Sequence, residues 1–325
     1  MPLFDEQVSR KPNQYPWAQD VIDAVWHSFW TPNEFSFRSD YSQFHGELTD
    51  QERGVIVRTL SAIGQVEIAV KRYWADIGKI FPHPYISDMG LAIGNQEVIH
   101  NQAYEKLLDV LGLQSAFDEA LQTPQLLGRI EYLRKYLDNP YKDQKQRAVY
   151  SLVLFTLFVE NCSLFSQFYI IMHFNRFKAV LKDTAQQVQY TRNEELLHAK
   201  AGTMIINTLR QEYPDLFDDD LNHRINEECA NALRYEGAII DWILQGYEQP
   251  ALNADVVKAF LQDRMVQSMK DAGFDVELPE ADPVLLEQSE WMNEEVYGGT
   301  MTDFFNKRPV EYAKNNRNFD SEDLF

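Results

Sequence analysis

Two short stretches of this chain place a glutamate and a histidine three residues apart: Glu97-Val98-Ile99-His100 and Glu195-Leu196-Leu197-His198. On a helix that spacing projects both side chains from nearly one face. Each pair can therefore offer a carboxylate oxygen and an imidazole nitrogen to a single metal ion. One such motif is weak evidence, because Glu and His at this spacing more often mark a solvated helix face. Here both are set in apolar stripes. Ile93, Tyr104, Leu108 and Leu111 accompany Glu97 and His100, while Val188, Thr191, Ile205 and Leu209 accompany Glu195 and His198. Both pairs are thus expected to point into the core, where an ionised carboxylate is costly unless it is paired or metal-bound.

Two further carboxylates interrupt apolar faces. Glu67 continues the stripe of Ile56, Leu60, Ile63, Val70 and Trp74, and Glu160 lies in the most apolar stretch of the chain. A plain salt bridge from Glu67 to Lys71, one turn on, is the bland alternative. Each of the two glutamates, however, precedes a Glu-x-x-His by a similar interval, 30 residues from Glu67 to Glu97 and 35 from Glu160 to Glu195. The chain reads as two copies of a helix carrying Glu followed by a helix carrying Glu-x-x-His. That is the ligand set of ferritin-like dimetal carboxylate bundles. A donor set rich in carboxylate oxygen with two imidazoles suits iron or manganese better than a thiolate-seeking metal, and zinc would supply no redox chemistry.

Helices must carry these residues. Proline breaks helix interiors, and proline-free stretches run over 33–81, 85–123, 141–213, 215–249 and 251–278. Within them the apolar period is that of a helix, with no convincing alternation of strand type. The expected fold is an all-α ferritin-like bundle with core helices at about 50–76, 86–112, 144–176 and 183–211, and further helices at about 219–246 and 252–272. Regularity fades after Pro283. The expected division is a helical domain over 1–285 and a flexible C-terminal tail over 286–325, ending in AKNNRNFDSEDLF.

Composition narrows the function. With 30 Lys and Arg against 50 Asp and Glu, the formal net charge is -20, which argues against nucleic acid as a partner. Cys162 and Cys229 form no paired framework and read as free thiols of a cytoplasmic protein. The first 17 residues lack the apolar run of a signal peptide. The stretch 151–174 is the best candidate for a membrane span, but a carboxylate in its middle, Glu160, favours a buried core helix.

At this point the chain resembles a known family, the small, radical-generating subunit of class I ribonucleotide reductase, from about Trp30 to the C-terminus. Glu67, Glu97, His100, Glu160, Glu195 and His198 match the six metal-ligand positions, and Tyr104 matches the position of the radical tyrosine. Ser28-Phe29-Trp30-Thr31-Pro32-Asn33-Glu34 resembles the segment whose tryptophan begins the electron path from the metals. Asp303-Phe304-Phe305 followed by Tyr312 resembles the region of the tail tyrosine that relays the radical onward.

The resemblance implies a homodimer whose C-terminal tail docks on a large catalytic subunit that reduces ribonucleotides. It also implies a dinuclear centre oxidised by oxygen, superoxide or peroxide, and leaves room for an activating flavoprotein. Two positions depart from the common pattern. Glu67 stands where many members have Asp, which resembles the manganese-using branches and favours Mn/Mn over Mn/Fe or Fe/Fe. Glu194 stands where an Asp usually links the tryptophan to the metal-bound histidine, and its extra methylene must still let it join Trp30 to His100. The alternative function is a self-contained dimetal oxidase acting on a small apolar substrate in the bundle core. It would need a tunnel and no large partner.

Overall fold

The computed structural model describes residues 2–298, apart from the side chains of residues 67–71 and 293–298. Tyr312 and the rest of the tail lie outside the described residues. The described residues form twelve α-helices and no named strand: α1 (Pro16–His27), α2 (Arg38–Gly46), α3 (Asp50–Ile80), α4 (Pro84–Leu111), α5 (Gln114–Ala120), α6 (Pro124–Leu133), α7 (Gln144–Leu154), α8 (Phe165–Lys178), α9 (Lys182–Glu212), α10 (Asp219–Leu244), α11 (Ala254–Asp271) and α12 (Pro283–Gly298).

Helix starts follow local chemistry. Pro16, Pro84 and Pro124 open α1, α4 and α6, where the missing N–H is no loss. The side chains of Thr49, Asp143, Asp218 and Asn253 accept bonds from the free N–H groups that open α3, α7, α10 and α11. Gly112 ends α4 in the left-handed region, at φ 71°, which a residue without Cβ adopts freely.

The long helices α3, α4, α9 and α10, with α7, α8 and α11, supply the buried core. The hairpin of α3 and α4 closes on Gly90, where a Cβ would lie 2.3 Å from the Trp74 carbonyl oxygen and 2.2 Å from Ile77 Cγ2. Glu52 at the start of α3 ties together three elements. Its side chain bonds the Thr49 backbone N–H, receives the Tyr247 hydroxyl at 3.1 Å, and pairs with Lys178 at the end of α8. Burial would raise its carboxyl, but Lys178, the Thr49 backbone and hydroxyl, and Tyr247 outweigh burial and bring its pKa down to about 2.

A folded pKa below the unfolded one stabilises the fold above the unfolded value, and that contribution fades as pH falls from about 4.5 towards 2. Glu52→Gln is therefore expected to cost on the order of 2 kcal/mol near neutrality. In urea titrations across pH the gap to the unaltered chain should narrow below about pH 4.5 and close towards pH 2. A gap independent of pH would refute the ion-pair account.

Two expectations need correction. The helix expected over 144–176 is not continuous: α7 runs into a π-helical turn at Phe155–Glu160 and then a non-helical turn before α8. The groups freed by this break are satisfied locally. Ser163 N–H donates to the Phe158 carbonyl at 2.8 Å, the Asn161 side chain to Thr156 O at 3.1 Å, and Arg264 of α11 to Asn161 O at 2.7 Å. Gly202 of α9 lets the widened turn approach, since a Cβ there would meet Thr156 Oγ1 at 2.3 Å.

The regularity expected to fade after Pro283 instead continues as α12, so the expected boundary at 285/286 falls inside a helix. Trp291 of α12 donates to the Tyr169 hydroxyl at 3.0 Å and is itself buried. The stretch Gln144–Lys178 is long and apolar enough to cross a membrane, yet 89% of its most apolar window is buried inside the protein. It is a core element here.

Candidate metal centre

Helix α4 carries Glu97 and His100, α9 carries Glu195 and His198, and Glu160 ends the π-helical turn between α7 and α8. All five residues are at most 1% exposed. One ligand atom each from Glu97, Glu160, Glu195 and His198 lies within 4.8 Å of the others. His198 Nδ1 is 3.0 Å from Glu97 Oε1, 3.4 Å from Glu160 Oε2 and 3.6 Å from Glu195 Oε2. His100 Nδ1 is 3.4 Å from Glu97 Oε2 and 3.3 Å from Glu195 Oε1. Thus five of the six residues expected to bind metal are brought together. The sixth, Glu67, lies on α3, and its side chain is outside the described residues.

The donor atoms fit cations. Both Glu97 oxygens, Glu160 Oε2, Glu195 Oε2 and His198 Nδ1 are buried with no hydrogen-bond partner among the described residues. Such atoms are costly to leave unmet, and they converge on one space. Burial, then Glu195, pushes the Glu160 carboxyl well above its usual range. Burial opposes the charge on His198, but Glu160, Glu195 and Glu97 together raise its pKa well above normal. Glu195 is held low by His100 and His198 in spite of its burial. Metal ions entering here must displace protons, as carboxylate and imidazole ligands generally require.

A second layer of residues holds the cluster. Trp30 Nε1–H donates to Glu194 Oε2 at 2.9 Å, and the same oxygen is 2.7 Å from His100 Nε2. The longer Glu194 therefore spans from Trp30 to His100, and the indole stacks over that imidazole at 6.3 Å between centroids, 27° apart. Tyr104 is buried and donates to Thr191 Oγ1 at 3.4 Å.

Two residues of this layer escape sequence reasoning. Trp74 Nε1–H donates to Glu160 Oε1 at 2.7 Å, which turns Oε2 towards the ligand cluster. Gln96 bonds both Glu194 and His198. Trp74 shows in the sequence only as one more apolar position on a stripe. Gln96 shows only as a polar neighbour of Glu97.

Convergent carboxylates and imidazoles in the dry core of a ferritin-like helical bundle define the class: the cluster fits a dinuclear metal site. The chain belongs to the family described as "Ribonucleotide reductase, small chain", which matches residues 7–277. A relative from Halalkalibacterium halodurans, "Ribonucleoside-diphosphate reductase subunit beta", is 22% identical over 312 residues, covering 93% of this chain and 87% of that protein. The fold is shared with the ribonucleotide reductase R2 subunit from Clostridium botulinum, at a TM-score of 0.75 and 20% identity, over 87% of this chain and 88% of that one. It is also shared with Streptococcus sanguinis dimanganese(II)-NrdF, at a TM-score of 0.68 and 15% identity, over 88% of this chain and 99% of that one.

Proposed function

We propose that this chain is the radical-generating subunit of a ribonucleoside-diphosphate reductase, active only with a large catalytic subunit. The observation that carries the reading is the hydrogen-bonded path from the buried cluster through His100 and Glu194 to Trp30. Glu67, Glu97, His100, Glu160, Glu195 and His198 would hold two redox-active ions, with Mn/Mn favoured by Glu67 and Mn/Fe or Fe/Fe as the other pairings. Those ions, once oxidised by oxygen, superoxide or peroxide, supply the oxidising equivalent.

The chain's own residues do the rest. With the metals bound, Trp30 would be the electron donor, and Glu194 Oε2, which accepts its Nε1–H, would be placed to take that proton as the indole is oxidised. Trp30 is wholly buried, while its neighbour Phe29 is 51% exposed, so the indole sits one residue in from the surface. Tyr104, buried near the ligands, is the candidate radical tyrosine. Tyr312 and the acidic tail relay the radical and dock on the large subunit. A homodimer, an activating flavoprotein and a cytoplasmic setting complete the proposal. Removing residues 313–325 is expected to abolish nucleotide reduction in the presence of the large subunit while metal loading stays intact. Unchanged activity would defeat the docking role.

A second reading, a dimetal oxidase acting on a small apolar molecule, is favoured by one observation. A cavity of about 470 Å³ lies between α3, α6 and the π-helical turn, walled by Val66, Ile130, Leu133, Phe155 and Val159, a size ordinary for small-ligand sites. The truncation separates the two readings, since a self-contained oxidase would not need its tail.

A further inference from the structure

Gln96 precedes the ligand Glu97 on α4 and is 1% exposed. Its side chain leaves α4 to reach two other elements. Nε2–H donates to Glu194 Oε1 at 2.6 Å and to Ser28 Oγ at 3.1 Å, while Oε1 lies 3.0 Å from His198 Nε2. The orientation of the amide is forced. Turned over, its carbonyl oxygen would face the Glu194 carboxylate at bonding distance with no proton between them, which low dielectric makes costly. Ser28 supports this sense, because its hydroxyl donates to Val25 O at 3.2 Å and leaves its oxygen to accept.

With Oε1 towards the imidazole, His198 must carry its proton on Nε2, and Nδ1 is left for the ligand cluster. Glu194 imposes the same tautomer on His100 through its other oxygen. Both imidazoles and the Trp30 indole are therefore anchored to one carboxylate, His198 through Gln96.

We propose that Gln96 is a positioning residue that sets the tautomer of His198 and couples the His198 end of the metal centre to the Glu194–Trp30 path. This rests on the metal reading above. Through it, a change of charge at either end of the centre reaches the same carboxylate, so neither ion is insulated from Trp30.

The test uses the full-length chain loaded with Zn(II), a diamagnetic probe, and 15N-labelled on histidine. The unaltered chain should show two metal-bound imidazoles, each with a slowly exchanging Nε2–H. Gln96→Met keeps the side chain's length and removes the amide. It should make the His198 Nε2–H exchange rapidly, leave that of His100 protected, and weaken one of two Mn(II) sites by roughly 10- to 100-fold, as loss of an outer partner does. Both imidazoles altered alike would mean a merely structural role. Both unaltered would overturn the proposal, as would an unprotected His198 Nε2–H in the unaltered chain, which needs no variant to observe. Two ions bound without these effects sinks the role of Gln96 alone. An unaltered chain that binds no pair of ions sinks the metal reading, and this inference with it.

Discussion

Replacing Trp30 by phenylalanine should reduce nucleotide reduction with the large subunit to background while the chain still binds two metal ions. Phenylalanine keeps a ring against Phe35 and Tyr190, which lie 5.8 and 5.7 Å from the indole. It lacks the Nε1–H that donates to Glu194 Oε2 and is much harder to oxidise, so it can neither pass the electron nor release the proton. Glu194 keeps its bonds to His100 and Gln96, which is why ligand geometry should survive. The smaller ring leaves a void costing about 1–3 kcal/mol, within what large-to-small core changes give. Metal analysis beside a turnover assay decides the matter. Normal turnover would remove Trp30 from the path, and lost metal would make it a structural residue instead.

Glu160→Ala should have a comparably large effect at the other end of the path, on binding itself. Glu160 Oε2 is one of the converging buried donors, and Oε1 is fixed by Trp74. Its loss should weaken one ion by more than the roughly 10- to 100-fold that an outer partner costs. The metal-free chain should be affected less. There burial and Glu195 push its carboxyl well above the usual range, so the ionised form is the costly one and little is lost with it, although the Trp74 N–H is left unmet at about 1–3 kcal/mol.

Ligand linkage makes the contrast measurable. Metal at 100 times its dissociation constant stabilises the unaltered chain by about 2.7 kcal/mol per site, and the variant should forfeit most of this at one site. Full occupancy of both ions in Glu160→Ala would contradict the six-ligand scheme.

The two Glu-x-x-His motifs and their burial were legible because they depend on one helical period. Glu97 with His100 and Glu195 with His198 need only i, i+3 geometry and an apolar stripe, and both are written in the residue order. What lies across helices was not legible. Whether Gln96 meets solvent or His198 depends on how α4 packs on α9, and Trp74 reads as one more apolar residue until α3 lies beside the π-helical turn.

The break at 155–164 was hidden for a different reason. That stretch contains neither proline nor glycine, the residues that announce a helix end, and its polar residues Thr156, Glu160, Asn161 and Ser163 are scattered among apolar ones that keep a helical run plausible. Its widened turn is paid for by Asn161, Ser163 and the distant Arg264. Helix α12 was missed because its stripe is thin, although Trp291 anchors it to Tyr169. The short helices α1, α2, α5 and α6 lie among prolines and polar residues, where periodicity has too few turns to declare itself.

The most direct test of the account is metal analysis joined to electron paramagnetic resonance on the full-length chain, loaded with manganese, iron or both and then activated. The account predicts two ions per chain, as a six-ligand carboxylate and histidine set requires, and a coupled-pair signal. A sharp tyrosyl signal in addition would assign Tyr104 its radical. A chain that binds no metal, or one isolated ion, would contradict it.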